Sequence, residues 1–205
     1  MPANSREKNK PAWSRSVFIN CPFDEAYKPL MRAACFAIIA CGYTPRCALD
    51  YNDSGAVRLV EIARMISECG FSIHDISRVE LDRASRLPRF NMPLELGMDL
   101  GLRLQGSARQ KGRRTLILDA VAHQYDKTLS DISGLDPQFH RNDARTVIRH
   151  VRDWLNAYRD PAIDGGPPGA RAIYDDYLAY TTIAPDIIQA LRLDSPLTNF
   201  LTSTI

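Results

Sequence analysis

Residues 16–42 read SVFINCPFDEAYKPLMRAACFAIIACG, and this stretch decides the fold. Residues 16–20 form a short apolar, β-branched run that follows a polar segment and stops at Cys21-Pro22, the pattern of a buried strand. Tyr27, Leu30, Met31, Ala34, Cys35, Ile38 and Ile39 then recur at helical spacing. Pro29 is tolerated only near a helix start, and Gly42 sits where a C-terminal cap belongs. The stretch is one β-α unit.

The same alternation continues on both sides of that unit. Residues 43–49 suggest a second strand, and Pro45, which cannot donate to a ladder, places it at a sheet edge. Asp53-Ser54-Gly55 is a turn and cap before a helix whose apolar face is read as Val57, Val60, Ala63 and Ile66, stopped at Gly70. Residues 71–76 (FSIHDI) are a third strand. A polar, arginine-rich loop over 77–90 leads to Asn91-Met92-Pro93, which opens a third helix with Pro93 at a first helical position. Residues 115–119 (TLILD) are a continuous apolar run of the kind found in interior parallel strands, and 138–140 is a possible short fifth. The expectation is an α/β, flavodoxin-like, doubly wound parallel sheet of four or five strands in the order 2-1-3-4-5.

Val147, Ile148, Val151, Trp154, Leu155 and Tyr158 mark a further amphipathic helix, and DPAIDGGPPG at 160–169 reads as a linker. A last helical segment from about Ala170 carries Ile173, Tyr174, Tyr177 and Leu178, with Pro185 expected to break or restart it. The expected organisation is a flexible tail over 1–14, an α/β domain over 15–159, and a linker with a C-terminal helical extension over 160–205.

Composition narrows the function classes. Of 205 residues 45% are hydrophobic, enough for one core flanked by helices, and 26 basic against 24 acidic residues leave a net charge of +2. That balance gives no support to a nucleic-acid partner. Residues 1–14 lack the apolar core of a signal peptide, and no segment is apolar enough to span a bilayer. Five cysteines without a C-x-x-C pair suggest reduced core thiols in a cytoplasmic protein. No metal site is expected, because His74, His123, His140 and His150 lack ligand spacing. No cofactor is expected either, since neither G-x-G-x-x-G nor a P-loop motif occurs.

In open α/β sheets ligands bind beyond the carboxyl ends of the strands. That rule selects Asn20, Cys21, Phe23 and Asp24 after the first strand, Asp50, Asn52, Asp53 and Ser54 after the second, His74, Asp75, Ser77 and Arg78 in and after the third, Asp119 from the fourth, and Asn91 and Glu95 at the facing helix start. Glu95, read as the third residue of that helix, would be ionised by the helix dipole and available as a nucleophile or charge stabiliser. The competing reading is a glutamate that caps backbone amides. Asp53-Ser54-Gly55 with Arg58 could hold a phosphate, or be an ordinary helix start. His74 and Asp75 are adjacent and point to opposite faces of their strand, which excludes a simple dyad. Arg109, Lys111, Arg113 and Arg114 read as a solvated basic turn.

FINCPFD, DSG, SIHDIS and NMPLELGMDLG together resemble a group of bacterial TIR-like proteins and, more distantly, the nucleoside 2-deoxyribosyltransferase-like fold. The resemblance spans about residues 16–120. It implies chemistry at an N-glycosidic bond, with Glu95 in the E-L-G pattern as the key catalytic glutamate and Asp75 as the aspartate after strand three. It departs at Asn91-Met92-Pro93, where the deoxyribosyltransferase pattern has Gly-Thr. The implied partners are a nucleotide or NAD-like small molecule and further copies of the chain, and the implied setting is antiviral defence. The implied alternative is a catalytically silent nucleotide-sensing or protein-interaction module.

Overall fold

The computed structural model describes residues 12–48, 57–77, 90–122, 129–132, 134–159 and 166–190. Its strands are β1 (Ser16–Asn20), β2 (Thr44–Cys47), β3 (Phe71–Asp75), β4 (Arg114–Asp119) and β5 (Gln138–Phe139). Its helices are α1 (Lys28–Ala40), α2 (Arg58–Glu68), α3 (Asn91–Gln105), α4 (Ala108–Lys111), α5 (Ala144–Ala157) and α6 (Ala170–Ala190). The strands form one parallel sheet in the order β2-β1-β3-β4-β5, the doubly wound flavodoxin-like arrangement. Pro45 lies in the edge strand β2, paired on one side with Val17. The anticipated fifth strand is present as the two residues Gln138 and Phe139.

Every residue of β1 and β3 is buried, as expected where helices cover both faces of a parallel sheet. Alternation along the strands sends Val17, Ile19, Phe71, Ile73, Leu116 and Leu118 into one layer with α1 and α5. Phe18 faces the opposite layer and packs with Ile62, Met65 and Ile66 of α2 and with Met98 and Leu102 of α3. α1 ends as its sequence indicates. Gly42 takes φ +79°, and the Gly42 and Tyr43 amides donate to the Ile39 and Ile38 carbonyls, closing a Schellman cap.

Several sequence-based expectations are corrected. The buried stripe of α2 is Ile62, Met65 and Ile66, continued by Cys69, whereas Val57 and Val60 are exposed. A stripe stepped by threes drifts about 60° per step on a 3.6-residue helix, so the series through Val57 and Val60 leaves the covered face. α3 begins at Asn91 with Phe90 as its cap, so Pro93 is the third helical residue, still among the amides that have no intrahelical acceptor. Glu95 is therefore the fifth residue, past the first turn. α6 runs through Pro185 instead of breaking there, and Pro185 and Thr181 four residues before it are both exposed to water.

α6 docks on α1 and α5, outside the helical layer, and not on the sheet. Ile173 and Tyr177 are buried in the core cluster, and the Tyr177 hydroxyl donates to the Pro29 carbonyl at 2.9 Å. Leu178 is exposed. Of the expected tail, residues 12–14 are described: a 3-10 turn spans Trp13–Arg15, and the Trp13 carbonyl accepts the Gly70 amide at 2.8 Å, so the ordered chain starts before residue 15. Residues 1–11 of the tail and 160–165 of the linker lie outside those described.

Candidate functional site

Beyond the carboxyl end of β1, a cavity of about 430 Å³ opens between the amino-terminal ends of α2 and α3. Asn20, Cys21, Pro22 and Phe23 form one wall, Arg58, Leu59 and Ile62 a second, and Asn91, Met92, Leu94 and Glu95 the third. The volume falls within the range of small-molecule sites. Six anticipated residues, Asn20, Cys21, Phe23, Arg58, Asn91 and Glu95, thus meet around one space. Asp50, Asn52, Asp53 and Ser54 lie outside the described residues.

Glu95 is half-buried, and burial pushes its carboxyl from 4.5 up to about 7 against the pull of the Arg58 guanidinium. This corrects the expectation of a dipole-stabilised, fully ionised carboxylate, because the dipole effect fades beyond the first helical turn. Its position also removes the capping reading, which requires the third helical residue. Burial likewise raises the Cys21 thiol well above its usual value, with Asp75, Cys35, Cys47 and Glu95 adding to the effect, so Cys21 is a wall and not a nucleophile.

Asp75 does not share the cavity with Glu95. It leaves β3 on the α1/α5 face, fully buried, where the Tyr27 hydroxyl donates to Oδ2 and His140 Nε2 lies 3.0 Å away. The Ser77 amide and hydroxyl donate to its other oxygen at 2.9 and 2.5 Å. α3, which carries Glu95, covers the opposite face, so strand alternation separates the two carboxylates. Ser77 therefore belongs to the Asp75 cluster. Asp24 accepts the Tyr27 amide at 3.0 Å in the turn before α1 and does not line the cavity. Asp119, the last residue of β4, is also fully buried and accepts the Ala120 amide at 2.6 Å.

His74 points to the cavity side. Its Nδ1 is 2.9 Å from Asn20 Nδ2, and its Nε2 is 3.4 Å from Asp99 Oδ2. Asp99 is fully buried and accepts from the Ser72 and Thr115 hydroxyls at 2.7 Å each, and Arg113 lies 2.6 Å from its other oxygen. Burial alone would raise the Asp99 carboxyl, but His74, Arg113 and Thr115 hold it down at about 2. Arg113 is completely buried and also donates to the Ile66 carbonyl at 2.9 Å, so the basic turn is not wholly solvated.

This network was missed at the sequence level, yet a signal exists. Asp99 falls on the inward stripe Met92, Leu96, Asp99, and a carboxylate on a buried stripe requires a buried cation. Leu59, Ile62 and Leu94 were also not anticipated, because apolar cavity walls look like ordinary core positions in a sequence. Among the described residues no three His, Cys, Asp or Glu side chains converge as a metal site requires. No helix among them is long and apolar enough to cross a membrane. Compared with protein-family models and with curated proteins, the chain matches none.

Proposed function

We propose that the protein is a nucleotide-processing enzyme that cleaves, or transfers across, an N-glycosidic bond in a nucleotide or NAD. One observation carries this reading: a half-buried carboxylate, Glu95, with its pKa raised to about 7 by burial, lines a nucleoside-sized cavity together with Asn20 and Arg58. The resemblance of PLELG to the deoxyribosyltransferase pattern supports the same residue.

In the proposed reaction the C1′–N bond breaks and its electron pair leaves on the base nitrogen. The ionised Glu95 stabilises or captures the oxocarbenium-like carbon. Water then bonds to C1′, breaking any bond to Glu95. The water proton passes to the departed base nitrogen or, when the base leaves neutral, to solvent. In transfer the nitrogen of a second base takes the place of water. A carboxyl with a pKa near 7 exchanges protons readily at neutral pH. Arg58 suits a phosphate, Asn20 and Asn91 suit sugar hydroxyls, and Phe23 and Leu59 suit the face of a base. Asp75 supports the strand end from behind and has no direct part.

Incubation with a panel of nucleotides and NAD, followed by chromatography of free base, tests the proposal. Base release should be lost in Glu95→Gln while ligand binding stays within about tenfold. Equal release by wild type and variant would refute the role of Glu95.

A second reading, a catalytically silent sensing or interaction module that assembles with copies of itself, is favoured by one feature. Val57, Val60, Phe90 and Leu94 are exposed near the cavity mouth, at 68%, 60%, 67% and 52% of their surfaces. Tight nucleotide binding without base release, together with a ligand-dependent increase in mass, would select it.

A further inference from the structure

Asn20 is only 3% exposed, yet it contributes to the cavity wall. Its carboxamide is held by two contacts, Nδ2 to the Met92 carbonyl at 2.8 Å and Nδ2 to His74 Nδ1 at 2.9 Å. A backbone carbonyl can only accept, so the group facing Met92 must be the NH2. With one N–H given to Met92, the other meets His74 Nδ1, which must then carry no proton. The imidazole proton sits on Nε2, toward Asp99 Oδ2 at 3.4 Å. Asp99 accepts from the Ser72 and Thr115 hydroxyls and lies beside Arg113, and against its burial His74, Arg113 and Thr115 hold its carboxyl down at about 2. Flipping the carboxamide would set its oxygen against the Met92 carbonyl, which can only accept. Both N–H groups are therefore committed, and the group Asn20 offers the cavity is Oδ1, which has no partner among the described residues.

We infer that the buried His74–Asp99–Arg113 chain fixes Asn20 as an acceptor-only group that reads a ligand hydroxyl, so the cavity selects a phosphorylated ribose with free hydroxyls over its deoxy counterparts. The inference rests on the proposed nucleotide site for its location, but not on catalysis there. Polarity along the walls agrees. Asn20 Oδ1 and Glu95 favour donors and disfavour anions, whereas Arg58, on the α2 wall, provides the cation for a phosphate. A site arranged to bond a hydroxyl rejects the analogue that lacks it, because its own buried group is left unpaired. His74 and Asp99 are positioning residues, since they act on the ligand only through Asn20.

The test is calorimetric titration of the wild-type protein with the four ribonucleoside 5′-monophosphates and their 2′,3′-dideoxy forms. At least one ribonucleotide should bind about tenfold or more tightly than its dideoxy form. Asn20→Ala and His74→Leu should bring that ratio close to one. His74→Gln, which can still accept from Asn20 and donate to Asp99, should largely restore it. A role confined to stability would lower the melting temperature and leave the ratio unchanged. If His74→Leu does not fold, Asn20→Ala decides alone. Equal binding of the two series by wild type, an unchanged ratio in Asn20→Ala, or no binding of any ribonucleotide would overturn the inference. Binding and base release are read separately on the wild-type protein, and this separates the two proposals. Discrimination without release sinks only the catalytic reading, and release without discrimination sinks only this one.

Discussion

At the residue scale, Glu95 shows how two effects on one carboxyl compete. A place in the first turn of α3 would have lowered its pKa, but at the fifth helical position burial wins and the value rises to about 7. The sign of the stability effect follows. The folded protein holds a proton that the unfolded chain releases near pH 4.5, so the favourable contribution of this group is complete below about 4.5 and is lost as pH rises through about 7. Glu95→Gln removes the penalty of the buried charge. The variant should match wild type near pH 4 and exceed it by ~1–3 kcal/mol at pH 8, a range reduced for the solvent that still reaches the group. Urea denaturation at the two pH values checks this. A difference that does not depend on pH would show that Glu95 ionises normally in the folded state.

At the element scale, α5 and α6 differ in how deeply they are held. α5 opens with Asp143, whose carboxylate accepts the Thr146 amide at 2.9 Å, and it buries Val147, Ile148, Val151 and Leu155 against the sheet layer. Trp154, read from the sequence as a member of that face, is only half-buried and meets Phe71 edge to face at 5.5 Å. Leu155→Ala should therefore cost ~2–5 kcal/mol. The same change at exposed Leu178 of α6 should stay within ~0.5 kcal/mol. Thermal melts of the two variants decide it. Comparable losses would mean that the outer face of α6 is covered in solution. The α6 contacts with α1 join distant parts of the chain: Tyr177 and Phe36 pack edge to face at 5.7 Å, a pairing across 141 positions.

At the scale of the whole molecule, sheet order ranks the stability of its parts. β1, β3 and β4 each have strands on both sides, whereas β2 is an edge and β5 pairs only two residues, Gln138 and Phe139, with β4. Hydrogen exchange should find the Ile19, Ile73 and Leu118 amides the slowest and those of β2 and β5 faster, since protected amides lie in the cooperative core. Faster exchange at Ile73 than at Cys47 would contradict this ranking. The strand and helix succession, the edge position of β2 and the cap at Gly42 were legible in the sequence, because each rests on local rules: apolar runs, helical period, proline without an N–H, and glycine at positive φ. Asn20, Cys21, Phe23, Asn91 and Glu95 of the candidate site were legible for the same reason, since the strand-end rule needs only the order of elements. The separation of Asp75 from Glu95, the burial of Arg113 against Asp99 and the grip of His74 on Asn20 were decided only by the tertiary structure. Which face a helix covers, and how strands register against one another, are settled by packing between segments far apart in the chain, and these set which side chains meet.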